Sequence, residues 1–287
     1  MVAIPASPKW SVRILKQKDT AAAVRFLEKE PMKNAYLISR IQDDGIGPEQ
    51  ELHEVRQGAE TICVASLSSN IVVASNPDAH PSDVSVALTL IADRIAARAY
   101  PVRAIISDAE LVEMLWTRLA VRLDPPTIVR LSQPVYLLEE SGITSDLSVM
   151  KYSSEDDLDV LVPACAAMHR EEVGIDPLTR DAFGYRERIR ELVRNKRSVS
   201  WIEKGAVIFK CEFSAVTRHT IQLMGVWTSP EYRRQGRARQ GMAEICGHIL
   251  RQKKTVTLFV NDFNTPAIRL YESLGFRQIG RNRALIW

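Results

Sequence analysis

The sequence has no long apolar run and little net charge. A helix that crosses a bilayer needs about 20 consecutive apolar residues, and no stretch approaches that length. The 38 lysines and arginines nearly balance the 35 aspartates and glutamates, which leaves a net charge of +3. So small a charge does not indicate a nucleic-acid partner, and basic clusters are expected to be solvated faces or local anion sites. Neither a membrane nor a nucleic acid is therefore an expected partner.

Cysteine is also scarce, with four residues in 287. Cys63, Cys165, Cys211 and Cys246 form no Cys-x-x-Cys pair and have no histidine at zinc-ligand spacing, so no metal site is expected. The N-terminus lacks the charged-then-apolar pattern of a signal peptide. We therefore expect buried, reduced thiols in a cytoplasmic protein.

What the sequence does have is enough apolar material for two hydrophobic cores. It is 46% hydrophobic and 25% charged, and 287 residues suffice for two domains of ordinary size. The segment EESGITSD, residues 139–146, is polar and rich in turn formers, so we place a boundary there. The predicted domains are 1–140 and 147–287.

Periodicity and turn signals predict a mixed α/β chain whose two halves repeat one order of elements. Asp19 and Ser82 are predicted helix caps. In the first half we predict strands at 11–15, 60–66, 70–75 and 102–107, one or two strands within 127–139, and helices at 19–30, 32–43, 82–99 and 108–120. In the second half we predict strands at 147–152, 198–203, 206–216, 219–228 and 255–260, two more within 276–287, and helices at 154–170, 179–195, 236–251 and 264–274.

Two short segments also match between the halves. EMLWTRLAVR at 113–122 aligns with IRLYESLGFR at 268–277, and VRILKQKD at 12–19 resembles VMKYSSED at 149–156. Chance similarity of two helix-to-strand corners is the alternative. Because the order of elements agrees too, we predict a duplicated fold.

The segment SPEYRRQGRARQG, residues 229–241, is basic and lies between a predicted strand and a predicted helix. First-turn N–H groups and the helix dipole favour an anion there, and Gly236 and the small Ala238 let it approach the backbone. Arg233, Arg234 and Arg237 can add charge-assisted bonds. The loop has neither Gly-Lys-Ser/Thr nor Gly-x-Gly-x-x-Gly. We interpret it as a cradle for a diphosphate; the alternative is a solvated basic surface.

The next conspicuous segment is LFVNDFNTPAIRLYESLGFRQIG, residues 258–280. It reads as strand, helix, strand, with Asn264 as the helix cap, Pro266 in the first turn and Gly275 as the stop. Tyr271 lies on the same helix face as Gly275. On spacing alone it is a half-buried core residue.

Together these segments carry a resemblance. RRQGRA after GVWTSPEY resembles the [QR]-x-x-G-x-[GA] motif of the GNAT superfamily of acyl-CoA-dependent N-acyltransferases, and NTPAIRLYESLGF resembles the signature that follows it. The resemblance covers residues 149–287. The first half has SNPDAHPSDVS in place of the loop and Trp116 in place of the tyrosine. It resembles a degenerate GNAT half, similar to the N-terminal partner domains of some bacterial tandem GNAT proteins.

The resemblance implies an acetyl-CoA site, in which the strand ending GVWT diverges from its neighbour and pairs with pantetheine. The N–H of Val226 would stabilise the oxyanion as the amine attacks, and Tyr271 would give a proton to the departing thiolate. The cofactor-binding residues implied in this way are Val226, Trp227, Thr228, Arg233, Arg234, Gln235, Gly236, Arg237, Ala238, Asn261 and Asn264.

The general base is harder to assign. Many GNAT enzymes carry a glutamate on the strand before the loop, whereas this chain has no acid between His219 and Thr228. Glu171 and Glu172 are the best substitutes, and Glu172 is our assignment; solvated helix-end charges are the alternative. Weaker candidates are His169, Glu212 and His219.

The leading hypothesis is therefore an acetyl-CoA-dependent N-acetyltransferase that acts on a small or protein amine. A non-catalytic acyl-CoA sensor and an aminoacyl-tRNA-dependent transferase are the alternatives. The basic stretch 185–197 would suit an acidic acceptor but is more simply an exposed helix face. The first half is expected to bind no CoA, and an oligomer is possible.

Overall fold

The structure, a computed structural model, describes residues 9–47, 50–97, 102–140, 142–143, 145–252 and 254–287. The chain divides into two compact units. The first contains the residues up to Val135 together with Val260–Phe263 and Ile279–Trp287, and the second contains Tyr136–Phe259 and Asn264–Gln278. Within the described ranges no helix has the length and apolarity to cross a bilayer. The prediction about a leader rests on residues 1–15, of which 1–8 lie outside the described ranges.

The first run of elements begins with a strand and two helices, continues with three strands, and ends by alternating helix and strand. Its elements are β1 (Trp10–Ile14), α1 (Thr20–Leu27), α2 (Ala35–Asp44), β2 (Leu52–Gln57), β3 (Glu60–Leu67), β4 (Asn70–Ser75), α3 (Pro81–Ala96), β5 (Ala104–Asp108), α4 (Ala109–Leu119) and β6 (Ile128–Leu138).

The second run repeats that order element for element. Its elements are β7 (Lys151–Tyr152), α5 (Leu158–Val173), α6 (Pro177–Arg194), β8 (Ser198–Glu203), β9 (Ala206–Val216), β10 (Thr220–Thr228), α7 (Arg237–Arg251), β11 (Thr255–Phe259), α8 (Thr265–Ser273) and β12 (Arg277–Ile286).

Four sequence predictions need correction. β2 was not predicted, because it buries the polar His53 and Glu54 beside apolar neighbours and so lacks the apolar/polar alternation of a strand. The strand at 147–152 shrinks to two residues, and 276–287 holds one strand instead of two. Helix α3 is capped by His80, whose ring accepts from the N–H of Ser82, and not by Ser82. Its predicted end at residue 99 lies outside the described residues.

The sheets are mostly antiparallel. In the first unit the strand order is β1-β2-β3-β4-β5-β12-β6, and in the second it is β6-β11-β10-β9-β8-β7; β6 and β12 are each divided between the units. Parallel pairing occurs at β4–β5 and at β10–β11. The predicted class, mixed and mostly antiparallel sheets flanked by helices, is confirmed.

The last strand of the chain completes the first unit. Residues of β12 pair antiparallel with β5, with Leu285 opposite Ile105. Leu285 is buried in the core that α3 and α4 cover, and Trp287 lies edge-on to Trp116 with ring centroids 5.8 Å apart. Compact units need not coincide with inherited domains, so the limits 1–140 and 147–287 stay a prediction.

In the second unit, α7 is fixed to the sheet by close packing and by one carboxylate. A Cβ at Gly241 would lie 2.5 Å from the buried ring of Phe209, so only glycine permits this approach. Glu244 accepts four hydrogen bonds, which come from the backbone of Ser148, Val149 and Met150 and from the Ser148 hydroxyl. Burial acts to raise the pKa of Glu244, but these bonds outweigh it and lower the pKa. All four cysteines are buried and free, as predicted.

The place of β12 leads to a prediction about stability. We expect Leu285→Ala to lower the free energy of unfolding of the first unit by about 2–5 kcal/mol, because it leaves a cavity in a packed core. Arg281→Ala, exposed on the same strand, should change it by less than about 0.5 kcal/mol. Urea unfolding followed by tryptophan fluorescence checks both; equal midpoints for the two variants would contradict the assignment of β12 to this core.

Candidate functional site

Strands β10 and β11 separate part of the way along their length. They pair in parallel from Thr220 opposite Thr255 to Leu223 opposite Leu258. β10 continues to Thr228, whereas β11 ends at Phe259. Among the described residues, the last five residues of β10 therefore have no partner on β11. Such an edge offers backbone N–H and C=O groups to an extended ligand.

A bulge lies in β10 just where the two strands separate. On the β9 side, Met224 is opposite Glu212 and Trp227 is opposite Lys210, and the register shifts between them. Gly225 and Val226 thus have no register partner on β9 either. Gly225 has φ +59°, the left-handed conformation that glycine adopts readily. Among the described residues, the bulge therefore leaves Val226 with no register partner on β9 or β11.

The arginine-glycine loop follows this strand and is open. Arg234 and Gly236 have φ of +59° and +77°, and α7 starts at Arg237 with Gly236 as its N-cap. A Cβ at Gly236 would have no neighbour within 4 Å. Where right-handed and left-handed residues alternate, the backbone N–H groups point toward one another and form a concave site that binds anions. The turn is therefore neither filled by its own side chains nor packed into the interior, and it can accept an anion.

Two of the three arginine side chains expected at the anion are used elsewhere. Arg233 forms an ion pair with Glu171, with 2.7 Å from Nη2 to Oε2. Arg237 turns back over the ring of Trp201, with its guanidinium carbon 4.8 Å from the ring centroid. Arg234 is exposed and has no ion pair within the described ranges. Side-chain charge at the open turn therefore comes from Arg234.

Glu171 is part of a clamp beside the open edge. Its Oε1 accepts from the indole N–H of Trp227 at 3.2 Å and from Arg233 at 2.9 Å. Arg233 Nε also donates to the carbonyl of Thr228 at 3.0 Å. The clamp joins the end of α5 to the loop after β10. Glu171 is therefore held in place by Arg233 and Trp227, and its role as a base stays a prediction.

Tyr271 of α8 lies in the interior of the second unit. It is 5% exposed and packs against Phe276 and Tyr136, with ring centroids at 5.8 Å and 6.4 Å. Burial raises the pKa of Tyr271, and Cys211, Glu172 and Cys246 act in the same direction. The Cys211 thiol itself points to the carbonyl of Met224 in the strand that bulges. The phenol therefore stays protonated at neutral pH, and the charge of Glu172 acts on it.

The two predicted asparagines have different positions. Asn264 is the cap of α8, as predicted, with its side-chain oxygen 3.3 Å from the N–H of Ala267. Asn261 belongs to the first unit, where its side-chain oxygen accepts from Gln133 at 3.0 Å. Their contacts with a cofactor stay predictions.

The three weaker candidates for the general base lie in different parts of the second unit. His219 is at the β9–β10 turn, at the opposite end of β10 from the bulge, and its Nε2 accepts from Arg218. His169 is half-buried on α5, and burial followed by the charge of Arg188 lowers its pKa. Glu212 is buried directly behind the bulge. The position of Glu212 beside the bulge follows from the pairing of β9 with β10, and the sequence of β10 alone does not reveal it.

Arginines of the basic stretch at 185–197 form ion pairs with carboxylates outside the stretch. Arg186 bonds Asp159 at 2.7 Å, and Arg194 bonds Glu155 at 2.9 Å. Arg190 lies 3.3 Å from Glu155. These contacts hold α6 against α5 and the turn before it. The helix face therefore has a structural explanation, and no acidic acceptor needs to be assumed.

The corresponding region of the first unit is closed. The N–H of Val73 on β4 donates to the hydroxyl of Ser107 on β5 at 2.7 Å, which fills the place where the strands would separate. Helix α3 starts with Pro81, which has no N–H, and the ring of His80 already accepts from the N–H of Ser82. This start offers fewer amides to an anion than α7 does.

Comparisons with known proteins agree with this geometry. Residues 214–286, from the end of β9 to β12, match the model of the FR47-like protein family. A GNAT-family acetyltransferase from Colwellia psychrerythraea has a TM-score of 0.57 at 13% identity, covering 96% of this chain and 99% of its own. A GCN5-related N-acetyltransferase from Sphaerobacter thermophilus has a TM-score of 0.57 at 16% identity, covering 96% and 94%.

A tandem GNAT protein from the clavulanic acid biosynthesis pathway is similar over 97% of this chain and 98% of its own, with a TM-score of 0.55 at 11% identity. No curated protein sequence matches the chain. The structural similarities extend over both units, whereas the family match is limited to residues 214–286, which include the loop at Gly236 and Tyr271. The chain has the GNAT fold over nearly its whole length, as the motifs predict for residues 149–287 and the order of elements predicts for the first half.

Proposed function

We propose that this protein is an N-acetyltransferase, which moves an acetyl group from acetyl-CoA to an amine by direct attack on the thioester. The observation that carries the proposal is the open turn at Gly236, which follows the end of β10 that has no register partner on β11. A diphosphate fits the turn, and an extended chain with amide groups fits the strand edge.

The residues of the turn fit the diphosphate of coenzyme A. First-turn amides have no helical partner, and the open space at Gly236 lets an anion reach them. The guanidinium of Arg234 adds a charge-assisted bond. Arg233 stays with Glu171 in this arrangement. The backbone groups assigned to the diphosphate are those of Arg234, Gln235, Gly236, Arg237 and Ala238.

The strand edge would hold the rest of the donor. The backbone of Val226, Trp227 and Thr228 would pair with the amides of the pantetheine arm, and Asn264 would bond the cofactor nearby. Asn261 belongs to the first unit, and its contact with the cofactor stays a prediction. Bound acetyl-CoA supplies the activated acyl group. The N–H of Val226 would donate to the thioester oxygen as negative charge develops on it.

Two side chains would move protons. Glu172, exposed at the end of α5, would take the proton that the attacking amine loses. Tyr271, buried and protonated, would give a proton to the sulfur as the thiolate departs. A phenol with a raised pKa holds its proton until a strong base forms beside it, which suits this role.

The turn is tested by Gly236→Asp. The new carboxylate would face the diphosphate, and like charges placed together cost several kcal/mol, so acetyl-CoA affinity should fall at least about 100-fold. Isothermal titration calorimetry measures it. Gly205→Asp is the matched control, since Gly205 also has a positive φ, +76°, and an open Cβ position, but lies in the β8–β9 turn.

Calorimetry should also give one acetyl-CoA per chain, because the first unit is closed where the second is open. An equal loss of acetyl-CoA affinity in Gly236→Asp and Gly205→Asp would mean that backbone strain, and not the anion site, explains the effect. Two sites per chain would contradict the assignment of the first unit.

The acid is tested by Tyr271→Phe. We expect kcat to fall roughly 10²- to 10⁴-fold with acetyl-CoA affinity unchanged, as for loss of a general acid. Because burial raises the pKa of Tyr271 above its ordinary value of 10.0, wild-type kcat should not decline on the alkaline side below that pH. Turnover of Tyr271→Phe within threefold of wild type would reject this role.

A CoA-release assay over a panel of primary amines tests the whole proposal. Release with at least one amine, lost in Glu172→Gln, supports the transferase. If acetyl-CoA binds and no amine is acylated, the protein is a sensor. If acetyl-CoA does not bind and tRNA binding weakens steeply with salt, the aminoacyl-tRNA alternative is favoured.

A further inference from the structure

A lysine is buried behind the bulge of β10 and has no part in the chemistry above. Lys210 of β9 is 1% exposed, and fully buried lysines are rare. Its ammonium donates to Glu212 Oε1 at 2.7 Å and to the backbone carbonyl of Gly225 at 3.0 Å. Cys165 also donates to Glu212 Oε1, at 3.3 Å. A buried ion pair contributes little stability, so its retention needs another explanation.

The pair is fitted to the bulge. A Cβ at Gly225 would lie 2.8 Å from Glu212 Oε2 and 3.2 Å from Lys210 Nζ, so only glycine leaves room for both groups. The left-handed φ of Gly225 turns its carbonyl toward the ammonium. The ion pair and the bulge therefore determine each other.

Fixing the Gly225 carbonyl also fixes the N–H of Val226. The two groups belong to one peptide plane, and this peptide bond is trans, so the N–H points away from the carbonyl. Val226 has no register partner on β9 or β11 that would set its direction otherwise. The ammonium also polarises the peptide, which strengthens the N–H as a donor.

We infer that Lys210 is a positioning residue, which orients and polarises the Val226 N–H toward the oxygen of an acyl thioester through the Gly225 carbonyl. The inference rests on the proposed function, because it needs a thioester at the edge of β10. Glu212 keeps the ammonium in place. Burial acts to lower the pKa of Lys210, but the charge of Glu212, the thiols of Cys165 and Cys211 and the hydrogen bond to Glu212 together raise the pKa, so the lysine stays charged.

The probe that isolates this contact is S-ethyl-CoA, a thioether that lacks the carbonyl oxygen of acetyl-CoA. Wild-type protein should bind acetyl-CoA roughly threefold to tenfold more tightly than S-ethyl-CoA, the range of one net hydrogen bond. In Lys210→Met this ratio should fall to about 1, while the affinity for S-ethyl-CoA stays within twofold. Calorimetry measures both ligands.

Glu212→Gln is the matched variant. It removes the charge that keeps Lys210 charged, but Lys210 can still reach the Gly225 carbonyl, so the ratio should fall by less than in Lys210→Met. If the Lys210–Glu212 pair had only a structural role, each variant would bind acetyl-CoA and S-ethyl-CoA more weakly by the same factor. If Lys210→Met does not fold, Lys210→Met/Glu212→Gln replaces it, because that pair leaves no unbalanced buried charge.

The wild-type protein provides a test that needs no variant. The amide proton of Val226 should shift downfield in NMR spectra with acetyl-CoA and not with S-ethyl-CoA. An equal response to both ligands, or a ratio that persists without Lys210, would overturn the inference and leave the proposed function intact. If neither ligand binds wild-type protein, the proposed function itself fails.

Discussion

The candidate site depends on the separation of two parallel strands. Hydrogen bonds join β10 to β11 over four residue pairs, and then the bulge at Gly225 and Val226 turns β10 away. Backbone groups that lose a partner must bond to water or to a ligand. The edge of β10 can therefore take an extended chain of amides, and the open turn at Gly236 lies directly after it. The freed edge and the open turn, in which Arg234 and Gly236 are left-handed, are thus the two parts of the proposed donor site.

The first unit shows that the fold alone does not produce this site. It has the same order of elements and the same parallel pair, β4–β5. There the hydroxyl of Ser107 satisfies the N–H of Val73, and Pro81 removes an amide from the start of α3. In the second unit a bulge and a glycine stand at the corresponding places. A few side chains therefore decide which copy of the fold stays open.

Features encoded by neighbouring residues could be predicted from the sequence. The turn at Gly236 and the cap at Asn264 each depend on a few consecutive residues. The clamp of Arg233 on Glu171 could not be predicted, because it joins positions 62 residues apart. The contact of Lys210 with Gly225 depends on the register of two strands, which composition does not reveal. For the same reason the sequence did not show that β12 completes the first unit.

The buried and paired carboxylates also narrow the search for the acceptor. Glu212 balances the buried Lys210 ammonium, and Glu171 is bonded to Arg233 and Trp227. Glu172 is exposed at the end of α5, and its charge acts on Tyr271. The proposed base thus places proton removal beside that helix end, and the proposal implies that acceptor specificity depends on the segment that joins α5 to α6.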